Sequence, residues 1–326
     1  MKDFKKITAF ILCFALAVSL AACGKETGSA EKEESGKLSI VCTVFPIYDW
    51  VKNILGEKID GVNLTLLLKS GTDLHNYQPT VDDLSAIAEC DMFIYIGGVS
   101  DKWVDDALRS TSNSSVITMN LIELLGGSAK EEEIVEGMEE EDEEEEGAVY
   151  DEHIWLSVKN AGVIVEKIAE ELSRADSENS AYYSETSKAY LAKLDEIDAQ
   201  FRAAVDSGTV GTVVFADRFP FRYLIDDYGL EYYAAFPGCS AETEASFETI
   251  TFLARKVDEL KLKSVLTIEG SSNSIARTVI ENTAAGNQQI LKMNSMQSVT
   301  SAEIEKGADY LRIMEENAAV LKKALA

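Results

Sequence analysis

The stretch from 180 to 207, SAYYSETSKAYLAKLDEIDAQFRAAVDS, constrains the fold most. It has apolar residues at helical spacing and no Gly or Pro to interrupt it. At about 1.5 Å per residue such a helix is about 40 Å long, longer than a small domain is wide. It must be either a coiled-coil arm or a strut between two packed bodies. The flanking sequence decides for the strut, because on both sides β-branched runs alternate with amphipathic segments. Before it come LSIVC, VNLTLLL, DMFIYIGG and the edge-like SSVITMNL, with helical periods in VDDLSAIAEC and in the segment after 157, which Ser157 is placed to cap. After it come GTVVFA, EYYAAFPG, SVLTIEG and QQILKMN, with helices expected over 219–230, 247–261, 274–286 and 303–326. Strand–helix alternation implies parallel sheets. The expected fold is therefore α/β: two lobes, 38–180 and 208–326, each with a central, mostly parallel sheet, joined by one long rigid helix over 181–207.

The first 23 residues bear on compartment rather than fold. Lys2, Lys5 and Lys6 precede an apolar run from Ile7 to Val18, and Leu20-Ala21-Ala22-Cys23 follows. A basic start, a short apolar core and small residues before a cut are the marks of a secretory signal, and the run is too short for a stable membrane span. Leu-Ala-Ala-Cys resembles a bacterial lipobox, which implies acylation of Cys23 and attachment to the outer face of a bacterial cell membrane. Each buried CH₂ of an acyl chain contributes about 0.8 kcal/mol. Residues 24–37 are polar and aperiodic and read as a flexible tether.

The net charge of −27 makes nucleic acid a poor partner and raises the local concentration of cations. Much of it is concentrated in 131–146, EEEIVEGMEEEDEEEE, which reads as a solvated, disordered loop or as a collector of cations. Cys42, Cys90 and Cys239 show no C-x-x-C spacing and read as buried thiols in or near strands, not as a disulfide framework or a cysteine zinc site. The chain has two histidines. His75 lies in the loop after the second expected strand and His153 just before a helix, both where ligands gather at the carboxyl edge of parallel sheets. Imidazole is a common ligand for zinc.

With those loops in view the sequence resembles a known family. Gly71-x-x-x-His75-x-Tyr77-x-Pro79, and Asp151-Glu152-His153-Ile154-Trp155-Leu156-Ser157, are similar to the two histidine motifs of zinc- and manganese-binding solute-binding lipoproteins of ABC importers (cluster A-I). The acidic loop between the motifs, the strut after them, ETEASF before a helix and the strand ending in Glu269 fall in the same order. The resemblance covers about residues 38–326. It implies a protein that is not an enzyme, binds Zn²⁺ or alternatively Mn²⁺, and passes it to an ABC permease with its own ATPase. It also implies four metal ligands. The third family position falls on Ala216, which has no donor, so Asp217 is the nearest candidate. The fourth falls near Asn294 and Gln297, so Glu269 is taken instead, giving a candidate set of His75, His153, Asp217 and Glu269. A drifted site for another small ligand, a surface adhesin and a secreted metallohydrolase are the alternatives. The absence of H-E-x-x-H and G-x-S-x-G speaks against the last. The chain has no phosphate-binding loop with which to drive transport itself.

Overall fold

The computed structural model describes residues 36–111, 113, 115–139, 149–240 and 244–326. The signal, Cys23, most of the tether and the second half of the acidic loop lie outside these residues. Leu38–Ala326 forms one compact unit.

Two four-stranded sheets organise it. In the first, β1 (Leu38–Cys42), β2 (Val62–Leu66), β3 (Met92–Tyr95) and β4 (Ile117–Asn120) run in the order β2-β1-β3-β4. In the second, β5 (Thr212–Phe219), β6 (Glu231–Pro237), β7 (Ser264–Ile268) and β8 (Gln289–Met293) run in the order β6-β5-β7-β8. Every ladder is parallel, and the two sheets share one strand order. In both lobes the second and third strands flank the first. The crossover direction therefore reverses beside the first strand, and a crevice opens at the carboxyl ends there. The central strands are apolar runs because helices cover both faces: β3 begins with three buried residues and β7 is buried throughout.

The long helix forms as the sequence predicts. It runs Ser180–Asp206, within a residue of the expected bounds, and is called α6 after α1 (Phe45–Leu55), α2 (Val81–Glu89), α3 (Trp103–Ser110), α4 (Leu121–Leu125) and α5 (Val158–Ala175). Its buried residues are Tyr183, Ser187, Tyr190, Leu194, Ile197, Phe201 and Ala204, alternately four and three apart. That spacing draws one straight seam down the helix, as in coiled-coil packing. The seam lies against α5 and the final helix. Ser157 caps α5 by accepting from the amide of Asn160, as expected.

The second lobe adds α7 (Arg222–Asp227), α8 (Phe247–Glu259), α9 (Ser274–Glu281), α10 (Ser301–Glu305) and α11 (Tyr310–Ala324). Four details differ from the sequence reading. The helix expected over 219–230 is only six residues long, because β5 extends to Phe219. The expected last helix is broken into α10 and α11, with Gly307 between them at φ 89°, a left-handed conformation that ends a helix at little cost for glycine alone. Helices α3 and α4 had not been anticipated. Residues 131–139 are ordered, whereas a disordered loop was expected over 131–146; residues 140–146 lie outside the described set. Glu131 bridges to Tyr150, the Glu139 amide donates to the carbonyl of Ala235, Glu133 pairs with Arg222, and Met138 is buried. This half of the loop is a strap laid from the first lobe onto the second.

One large core runs through both lobes. Trp50 and Tyr310 meet edge to face at 5.2 Å, and the Tyr310 hydroxyl donates to the carbonyl of Trp155. The Trp155 indole N–H in turn donates to the carbonyl of Ser295 in the second lobe. Asp49 accepts from the Tyr310 amide, and burial pushes its carboxyl up to about 6.

Candidate metal centre

Both histidines are built by the same local device. Asp73 lies two residues before His75, and its Oδ1 accepts from the His75 amide at 3.1 Å and faces Nδ1 at 2.7 Å. Asp151 does the same for His153, at 2.8 Å to both nitrogens. In each case a 3₁₀ turn carries the chain on from the Asp-x-His unit, Leu74–Asn76 after β2 and Ile154–Leu156 before α5. A carboxylate on Nδ1 places the proton there, fixes the ring and leaves the Nε2 lone pair to face inward, the usual outer-shell arrangement around a metal-binding histidine.

The two rings are brought together, with centroids 5.2 Å apart. Nε2 of His75 is buried and has no hydrogen-bond partner. Glu152 Oε2, 3.7 Å from it, is equally without one, while Oε1 of the same carboxylate accepts from the Ser100 amide. Unpaired buried polar atoms are costly, so two of them converging mark a place built for a ligand. On the far side the Gln297 carboxamide donates to Nε2 of His153 at 2.5 Å.

Gly238 lets the end of β6 approach this cluster. A Cβ there would lie 2.9 Å from the Phe219 carbonyl and 3.0 Å from Cε1 of His153. The close approach carries the next residue, Cys239, to the histidines. The Cys239 sulfur and a ring nitrogen from each of His75 and His153 all lie within 4.8 Å of one another, and no other such group of His, Cys, Asp or Glu occurs among the described residues. The Cys239 amide donates to Glu132 Oε1, so the strap also closes on this point. A cleft of about 580 Å³ opens over it, lined by His75, Tyr77, Trp103, Glu132, Glu152 and Cys239 among others.

The two carboxylates expected from the sequence are not brought to the histidines. Glu269 is held at the end of β7, where its oxygens accept from the Ser295 amide and hydroxyl and from the Gln297 amide. It meets the site at one remove, through Ser295 and Gln297. Asp217 sits on a bulge in β5, where the pairing slips between Phe215 and Arg218. Its oxygens face the amides of Arg218 and Ile268. The bulge directs Arg218 toward the site instead, and its guanidinium meets Asp73 at 2.8 Å. His75 is therefore coupled to the second lobe through Asp73 and Arg218, and His153 through Gln297 and Ser295.

Negative groups dominate the electrostatics. Burial works against an ionised Asp73, but its bonds to His75 and Arg218 hold it well below the usual carboxylate range. Burial would lower His153, yet Asp151, Glu152 and Glu132 together leave it above its ordinary value. Burial, then Glu132, Asp151 and Glu152, push the Cys239 thiol up. A pocket with a carboxylate behind each histidine favours a cation. Three residues here escaped the sequence reading: Cys239, Glu152 and Glu132. Glu152 is the one with a visible signal, since it lies inside the second histidine motif, directly before His153.

Comparisons with known proteins place this geometry. The family described as zinc-uptake complex component A, periplasmic, matches residues 40–324. The high-affinity zinc uptake system protein ZnuA of Bacillus subtilis is 30% identical over 99% of this chain and 98% of its own length. The zinc-binding lipoprotein AdcA of Streptococcus pneumoniae is 29% identical over 98% of this chain, which spans 61% of AdcA. The crystal structure of the Zn(II)-bound ZnuA-like domain of pneumococcal AdcA superposes with a TM-score of 0.69 at 27% identity, covering 89% of this chain and 99% of that one. With two Asp-positioned histidines set side by side, one at a cleft and one buried behind it, and with this match over nearly all of its folded length, the chain belongs to the family of periplasmic zinc-uptake component A proteins, metal-binding solute-binding proteins rather than enzymes.

Proposed function

We propose that this protein captures one zinc ion on His75 and His153 and hands it to the permease of an ABC importer whose ATPase is a separate chain. The observation that carries the reading is the pair of inward-facing Nε2 atoms, each fixed by an aspartate on Nδ1. Zinc is bound and released without chemistry, so no general base or open reaction position is required. The centre lies inside a core that runs through both lobes, and α6 is continuous. Capture is then a local rearrangement around Gln297, the strap and the two 3₁₀ turns rather than a wide hinge closure. Native mass spectrometry of the zinc-reconstituted protein should find one zinc per chain, and a protein that stays metal-free in excess zinc would sink the reading.

The protein is proposed to work tethered to the outer face of the cell membrane through acylated Cys23, which lies outside the described residues. Several acyl chains hold a protein firmly where one does not. Cys23→Ala should release the protein from the membrane fraction. Unchanged retention of the variant would overturn the anchor.

A further inference from the structure

The family pattern expects a third ligand at the end of β5, and that position is Ala216, buried and without a donor. Strand β6 lies beside β5, pairing Phe215 with Ala234 and Phe219 with Pro237, and Cys239 follows two residues after Pro237. We propose that the Cys239 thiolate is the third zinc donor, supplied from the neighbouring strand in place of the one lost at 216, with Glu152 completing a two-nitrogen, one-sulfur, one-oxygen shell. The proposal rests on the zinc reading above and specifies its coordination.

Four observations support it. The Cys239 sulfur and the two imidazoles already lie within 4.8 Å of one another. Zn–N bonds of about 2.0 Å and Zn–S bonds of about 2.3 Å put tetrahedral donors about 3.3–3.6 Å apart, so a contraction of an ångström or so brings these three onto one ion. Glu152 is buried, and its free Oε2 is aimed at the free Nε2 of His75. Gly238 is the residue that permits this approach, because a Cβ there would clash with the Phe219 carbonyl and crowd His153. The other described thiols cannot substitute, since Cys42 and Cys90 are fully buried within the first lobe. On binding, the S–H bond is exchanged for an S–Zn bond and the proton leaves to solvent, with no change of oxidation state.

The consequence is selectivity. Thiolate favours zinc and other soft or borderline ions, whereas manganese prefers oxygen donors. The ambiguity between zinc and manganese is resolved toward zinc by sulfur.

The test replaces zinc with cobalt(II), whose spectrum reports its ligands. Cobalt-loaded protein should show an intense near-ultraviolet thiolate-to-cobalt charge-transfer band. In Cys239→Ser that band should vanish while the weaker visible bands of histidine-bound cobalt persist, and zinc affinity should fall by about tenfold or more, the scale seen when a supporting contact at a metal site is lost. Cys239→Ala should behave alike. Bound cobalt with no charge-transfer band, or a band that survives in both variants, would overturn the thiolate assignment and leave the histidine site standing. Wild-type protein that takes up neither cobalt nor zinc would overturn the zinc reading itself.

Discussion

Replacing His75 or His153 with alanine will lower zinc affinity by about a hundredfold or more, measured by competition calorimetry against a chelator of known strength. Loss of a supporting group alone typically weakens a metal site by about 10–100-fold, and loss of a ligand should exceed that. The two variants should differ in the metal-free state. His153 is fully buried and bonded on both ring nitrogens, so its removal strands Asp151 and Gln297 in the interior and destabilises the fold. His75 borders the cleft, and its removal should be better tolerated. The pH dependence has a definite sign. Zinc needs neutral imidazole, and His153 is held above its ordinary value by the neighbouring carboxylates once the opposing effect of burial is overcome. Protons therefore compete with zinc at a higher pH than they would for a free imidazole, and affinity falls as the pH is lowered. Undiminished zinc binding in the double alanine variant would refute the assignment.

Trp155→Ala will reduce the unfolding free energy of the metal-free protein by about 3–5 kcal/mol, read from the urea midpoint. The indole is fully buried, its N–H satisfies the Ser295 carbonyl across the lobes, and its ring packs edge-on against His153 at 5.4 Å. The change empties a large volume, leaves a buried carbonyl unpaired and loosens a zinc ligand, so affinity should fall with stability. Phe247→Ala is the matching control. That ring is 78% exposed, and its loss should shift stability by no more than about 0.5 kcal/mol. Equal effects from the two substitutions would show that the core does not run through Trp155.

Much of the fold was legible because its elements obey one rule each. The strands of the two sheets read as apolar runs since parallel sheets are covered on both faces, and α6 read as a strut since its seam has a strict period. His75 and His153 were legible as loop histidines, and the Asp-x-His spacing around both was there to be noticed. The remaining donors were not, for reasons of three-dimensional register. The slip in β5 at Ala216 and Asp217 has no marker such as glycine, so alignment by distance along the chain placed Asp217 where the bulge presents Arg218. Glu269 was reached by the same logic, but Ser295 and Gln297 hold both its oxygens. Cys239 was set aside because it has no neighbouring cysteine, although its partners are histidines distant in sequence. In the acidic stretch, charge counting hid Val135 and Met138, the apolar residues that pack the strap against the core.

The path of α11 bears on how the protein is made. Tyr310 donates its amide to Asp49 and its hydroxyl to the carbonyl of Trp155, so residues near the C-terminus complete the surroundings of the first helix and of the turn after His153. These two contacts join residues 261 and 155 apart in the chain. Such pairings are slow to form, because the loops they close must lose entropy before any contact offsets it. The first lobe cannot finish its core until α11 is available to dock against it. Completion of the core is therefore a late step, and the interval before it is when the chain is most exposed to proteases and to aggregation.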